Sequence, residues 1–163
     1  MTPLESRVVT LADEAATIVL AQRVAACLDG GLTIYLHGEL GAGKTSFARA
    51  LLQALGVGER VKSPTYSLIE EYPLAKGGRA WHLDLYRIAD PGELEWLGLD
   101  ALADANALAL IEWPERGLGA LPVPDLHLWL SHVGTGRQAR LDAASRRGGE
   151  VLRRLQETRT PAH

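Results

Sequence analysis

Gly38-Glu-Leu-Gly-Ala-Gly-Lys-Thr45 constrains this chain more than any other feature, because it reads G-x-x-x-x-G-K-T and lies between two runs of opposite periodicity. Ahead of it, Leu32-Thr-Ile-Tyr-Leu36 is short and rich in branched and aromatic residues, as a strand buried on both faces requires. Behind it, Phe47, Ala48, Leu51, Leu52 and Leu55 recur at helical spacing until Gly56-Val-Gly58 ends the run. A loop of this kind between a strand and a helix is built for phosphate. Its glycines permit a tight turn with backbone N–H groups facing inward, and the positive end of the helix adds to the same anion site. Lys44 is placed to reach the β and γ phosphates and the Thr45 hydroxyl to ligate Mg²⁺. The expected nucleotide-contacting residues are Gly38, Glu39, Leu40, Gly41, Ala42, Gly43, Lys44, Thr45 and Ser46.

A metal-nucleotide site also needs an acid, and two strand ends offer one. Ala107-Leu-Ala-Leu-Ile111 is a continuous apolar run, read as a central parallel strand that delivers Glu112 at its carboxyl end before Pro114 turns the chain away. Arg79 to Leu85 is a second strand, carrying Asp84 near its tip, where Mg²⁺ or a pair with Arg87 competes for it. Ser67 to Tyr72 is expected to form a hairpin with it. Between the loop and these acids, Lys62-Ser-Pro-Thr-Tyr66 places Thr65 after a stiffened Pro64, where nucleotide switches often carry a hydroxyl. Trp113 is read as a cover for the site or a partner-facing residue. Trp81, Trp96 and Trp129 are read as packing, and His37 and His82 as structural.

Elsewhere, Val8 to Leu11 reads as an edge strand, followed by a helix capped by Thr10 or Asp13 with Cys27 in its core face. Asp90-Pro91 opens a helical turn. Leu126 to Val133 and Arg137 to Ala143 flank Gly134-Thr-Gly136 as a late antiparallel hairpin, and Gly148-Gly149 precedes a last short helix. Its Arg146, Arg147, Arg153 and Arg154 read as a solvated face. The fold class expected is α/β: a P-loop NTPase-like mixed, mostly parallel sheet flanked by helices.

The 163 residues suit one domain, 1–157, with 158–163 as a disordered tail. Seventeen Lys and Arg against 20 Asp and Glu give a net charge of −3, which supplies no broad attraction for a nucleic acid backbone or an anionic membrane. Cys27 is the only cysteine, so neither an internal disulfide nor a cysteine metal cluster is available, in keeping with a cytoplasmic protein. Neither a signal peptide nor an apolar stretch of membrane-spanning length is expected.

Taken together, Gly38 to Thr45, Lys62 to Tyr66, His82-Leu-Asp-Leu-Tyr-Arg87 and Ile111-Glu-Trp-Pro114 resemble the TsaE family, formerly called YjeE. The likeness runs from Leu11-Ala-Asp-Glu-Ala-Ala-Thr17 to Gly136-Arg-Gln-Ala-Arg140. It implies a bacterial ATPase of tRNA threonylcarbamoyladenosine biosynthesis, slow by itself, that binds ATP or ADP with Mg²⁺. It also implies association with the TsaD and TsaB proteins, which modify N6 of adenosine 37 in tRNAs reading codons that begin with A, with the ATPase resetting that complex. Contact with tRNA is expected to be indirect or weak, and contact with membrane absent. The resemblance places catalytic roles on Lys44, Asp84, Glu112 and Thr65, and Mg²⁺ on Thr45, Glu112 and Asp84. It puts Asp13 or Glu14 near the adenine, and Thr135 to Arg137 on the nucleotide's other side.

Three rivals compete on residues alone. A small P-loop metabolite kinase would need an acceptor pocket and a basic lid, for which Arg146, Arg147, Arg153 and Arg154 are the candidates. A GTP-driven switch would carry an Asn-Lys-x-Asp segment, which is absent. A nucleotide-stabilised assembly subunit would bind without hydrolysing.

Overall fold

The computed structural model describes residues 5–57, 69–97 and 99–157. Strands β1 (Glu5–Leu11), β2 (Leu32–His37), β3 (Ile69–Pro73), β4 (Arg79–Asp84), β5 (Leu108–Glu112), β6 (Leu126–Val133) and β7 (Gly136–Ala143) form one sheet in the order β1-β7-β6-β2-β5-β4-β3. The four central strands, β6-β2-β5-β4, run parallel, and β1, β7 and β3 join them antiparallel at the edges. Helices α1 (Glu14–Cys27), α2 (Lys44–Ala54) and α3 (Arg146–Glu157) complete the framework. The fold is the α/β class that the sequence implied, with a parallel centre and the late hairpin in place as β6 and β7. Lys62 to Tyr66, with Thr65, and the tail 158–163 lie outside the described residues.

Strand alternation builds two cores. Leu32, Ile34 and Leu36 of β2 and Leu108 and Leu110 of β5 point to one face, where they meet Leu20 and Val24 of α1, Phe47, Leu51 and Leu52 of α2, and Leu152 and Leu155 of α3. Tyr35 of β2 and Ala109 and Ile111 of β5 point to the other face. No α-helix covers that side among the described residues. Short 3₁₀ turns at Pro91–Leu97 and Leu99–Ala103 pack Leu94 and Leu102 against it. Both faces being covered explains why β2 through Leu36 and all of β5 are buried and read as unbroken apolar runs.

Two buried carboxylates tie the outer strands and α3 to this frame. Asp125 accepts from the Thr33 backbone N–H (2.8 Å), the Ser145 hydroxyl (2.6 Å) and Arg147 (2.9 Å). Asp142 accepts from Ser6 of β1, from the Trp129 indole (3.1 Å) and from Arg140 (3.2 Å). The arginines of α3 are therefore not a uniform solvated face: Arg147 also bonds the Ala105 carbonyl, and Arg154 bonds the Cys27 carbonyl at 3.0 Å. Helix α3 starts at Arg146 rather than after the glycines, because Gly148 lets the first turn lie directly on the Asp125 carbonyl. Trp129 is not core either; it is 38 % exposed and stacks on His37 at 3.8 Å between ring centroids.

Candidate functional site

Every strand that matters here ends at the same edge. Parallel pairing aligns Leu36 of β2 with Glu112 of β5, and Asp84 of β4 with the same Glu112. The carboxyl ends of three neighbouring strands thus open onto the loop that follows β2, as expected for ligand sites in parallel sheets. Gly38, Gly41 and Gly43 all have positive φ (148°, 81° and 109°), a region closed to most side chains. At Gly38 an added Cβ would come within 2.6 Å of the Leu130 carbonyl oxygen, so the loop lies tight on β6. Gly43 caps α2 with no side-chain hydrogen bond, and the first turn of the helix lines the cleft.

The cleft has a volume of about 310 Å³ and is lined by Glu14, Thr17, Leu40 to Ser46, Asp84, Tyr86, Glu112, Trp113 and Arg137. Of the residues expected from sequence, Lys44, Thr45, Asp84 and Glu112 converge here. Glu14 lines the opposite wall and accepts from the Ser46 hydroxyl at 3.2 Å, while Arg137 reaches the Gly41 carbonyl at 3.3 Å. Asp13, Gly38, Glu39 and Thr135 do not line it. The Asp13 carboxylate is spent capping α1 through the Ala16 N–H (2.9 Å), Gly38 accepts from Lys44 through its carbonyl, and Glu39 and Thr135 are exposed.

Lys44 is 4 % exposed, with its ammonium on the Gly38 carbonyl and 3.6 Å above the centre of the Trp113 ring. Burial pulls its pKa below the ordinary lysine value, while Glu112, Asp84 and Glu115 oppose that pull. The Thr45 hydroxyl lies 3.0 and 2.9 Å from the two oxygens of Glu112. Burial raises the Asp84 pKa above the usual carboxylate range; a hydrogen bond from the Tyr86 N–H lowers it, the Glu112 charge raises it further, and His82 and Lys44 lower it. Arg87 is exposed, and the Asp84 carboxylate turns instead to its own loop.

Trp113 lines the cleft as the expected cover, but its backbone conformation and the partner of His82 escaped sequence reasoning. Trp113 adopts φ 58°, the one non-glycine residue at positive φ among those described, and this unusual backbone carries its ring back over Lys44. Its position next to Glu112 and before Pro114 hinted at a turn but not at its hand. His82, expected to be structural, sits 2.6 Å from Glu112. Strand alternation contained that contact, since residues 82 and 112 share a face once the register is known.

Comparison with known proteins agrees with this architecture. The family model described as "Threonylcarbamoyl adenosine biosynthesis protein TsaE" matches residues 11–140. Relatives named tRNA threonylcarbamoyladenosine biosynthesis protein TsaE include one from Haemophilus influenzae, 42 % identical over 121 residues, covering 74 % of this chain and 76 % of the relative. Another, from Aquifex aeolicus, is 43 % identical over 110 residues, covering 66 % and 77 %. The Bacillus subtilis relative is 35 % identical over 123 residues, covering 72 % and 73 %. The crystal structure of Bacillus subtilis YdiB superposes with a TM-score of 0.81 at 25 % identity, covering 96 % of this chain and 97 % of that one. The matched span carries the glycine loop, both strand-end acids and the Trp113 turn, so the chain belongs to the TsaE family.

Proposed function

We propose that this chain binds ATP and hydrolyses it in the cleft between α2 and the ends of β4 and β5, as the ATPase subunit that resets the TsaD–TsaB threonylcarbamoyl transferase complex in tRNA threonylcarbamoyladenosine biosynthesis in the cytoplasm. The observation that carries this reading is the meeting of Lys44, Thr45 and Glu112 at the open amino end of α2. Family membership supplies the biosynthetic setting.

The donor set fits Mg²⁺, since a hydroxyl and a carboxylate are hard oxygen ligands and Thr45 and Glu112 already lie in contact. When bound, the ion supplies neutralising charge on the phosphate oxygens. The protein's own part is to hold and to exclude. Loop N–H groups and Lys44 bind the β and γ phosphates, which requires the ammonium to leave the Gly38 carbonyl. Asp84, on the same cleft wall, would accept the hydrogen bond of the attacking water. Its raised pKa follows from the same partial burial that excludes bulk solvent there. Trp113 closes over Lys44 and shields that ammonium from water. A metabolite kinase is the weaker reading, because none of Arg146, Arg147, Arg153 and Arg154 lines the cleft and two of them are bonded elsewhere in the fold.

Calorimetric titration with ATP and with GTP tests the binding half of this reading. ATP is expected to bind more tightly than GTP. Lys44→Ala should weaken ATP binding by about 10–100-fold, since a hydrogen bond to a charged group contributes about 1.5–3 kcal/mol. Equal affinity in wild type and Lys44→Ala contradicts the assignment, and equal affinity for ATP and GTP reopens the GTP-driven switch.

A further inference from the structure

His82 of β4 is completely buried, and the hydrogen bond it makes goes from Nε2 to Glu112 Oε2, at 2.6 Å. Its other nitrogen, Nδ1, is buried with no hydrogen-bond partner among the described residues. An imidazole of this kind is an inefficient packing element, since a leucine would fill the volume without stripping a polar nitrogen of water. The register explains why the contact forms here. His82 pairs with Leu110, so Glu112 lies two residues on and on the same face, a diagonal neighbour within reach of a long side chain.

The carboxylate needs such a contact. The Thr45 hydroxyl lies within reach of both Oε1 and Oε2, so it anchors the carboxylate to α2 alone. The histidine contact, to Oε2, adds a second anchor from β4. Because a carboxylate accepts, Nε2 carries the hydrogen of this contact. We propose that His82 is a positioning residue for Glu112: it ties Oε2 to β4 and so holds the carboxylate, together with the Thr45 hydroxyl, at the cleft where Mg²⁺ would be held. Partners behind metal-ligating groups act in this way, orienting the ligand without touching the metal. This inference rests on the reading of Glu112 as an acid of a metal-nucleotide site.

The test compares His82→Leu, which fills similar space without a donor, with His82→Gln, whose amide nitrogen reaches toward the place of Nε2. Binding of Mn²⁺ to the protein–ADP complex is followed by electron paramagnetic resonance, beside the Mg²⁺ half-saturation of ATP hydrolysis, metal-free ADP affinity and thermal melting. The expectation is that His82→Leu weakens Mn²⁺ binding and raises Mg²⁺ half-saturation by about 10–100-fold. Metal-free ADP affinity should stay unchanged, and His82→Gln should recover most of the metal affinity. Wild-type Mn²⁺ affinity in His82→Leu overturns the positioning role, as does a loss of metal affinity that merely tracks lowered melting temperature in both variants. If His82→Leu does not fold, His82→Asn replaces it, since its shorter amide stops at the place of Nδ1; equal metal affinity in the Gln and Asn variants then overturns the proposal. Wild-type protein that binds ADP but never Mn²⁺ overturns the metal site itself, and the proposal with it.

Discussion

At the scale of single residues, the cleft joins charges that oppose one another's burial. Asp84 shows the cost most clearly. Burial raises its pKa above the ordinary carboxylate value, so as pH rises the unfolded chain releases this proton before the folded one does. Through that window the unfolded state binds fewer protons than the native state, and stability falls as pH rises, remaining lower at neutrality. Asp84→Asn is therefore expected to melt at a higher temperature than wild type at neutral pH while losing ATP turnover. The gain should shrink as pH falls and vanish well below the ordinary Asp value of about 3.9, where the carboxyl is protonated in both states. Melting curves across this range decide it, and an Asn variant less stable than wild type at pH 7 contradicts the account. Much of this chemistry was legible in the sequence, because the glycine spacing and the two strand-end acids name their own partners. The left-handed Trp113 and the His82 contact were not. One depends on the sign of a single dihedral angle and the other on the pairing register of β4 with β5, which no local pattern specifies.

At the scale of elements, the strands and helices follow from periodicity, while their ends depend on close approaches. Helix α3 is the clearest example. Two adjacent glycines read as a break ahead of the helix, yet both lie in its first turn. At Gly148 an added Cβ would stand 1.9 Å from the Asp125 carbonyl oxygen, whereas at Gly149 the nearest atom is the flexible end of Arg153 at 3.7 Å. The pair should therefore separate cleanly on substitution. Gly148→Ala forces the helix off β6 and is expected to cost about 1–3 kcal/mol or more, as overpacking does. Gly149→Ala should stabilise by about 0.5–1 kcal/mol through helix propensity alone. Urea unfolding of both variants measures the difference, and equal effects of the two substitutions would show that the approach to Asp125 is not what demands glycine. The glycine loop makes the contrasting case. There positive φ at Gly38, Gly41 and Gly43 was foreseeable, because a phosphate cradle requires it.

At the scale of the whole molecule, the sheet is parallel where function needs it and antiparallel where edges must be closed. The apolar runs of β2 and β5 announced a doubly covered centre, and the Gly134-Thr-Gly136 turn between β6 and β7 announced a hairpin. The order of the strands was not legible, since it depends on which crossovers bury the most surface. The helical turn read at Asp90-Pro91 is there as the 3₁₀ turn Pro91–Leu97, but its place, with Leu99–Ala103, as the cover of the second face was not legible. Likewise His37, immediately before the loop, is pushed down to about 4 mainly by burial, because β6 brings His127 to 2.8 Å and Trp129 onto its ring. The net charge of −3 supplies no broad attraction for a nucleic acid backbone. The direct measurement is ATP hydrolysis by the purified chain with Mg²⁺, alone and with TsaD and TsaB added, beside Glu112→Ala. The account predicts slow turnover alone, faster turnover with the partners, and loss of both in the variant while nucleotide binding persists. Undiminished hydrolysis in Glu112→Ala, or no hydrolysis by wild type in an assembled complex, would contradict it.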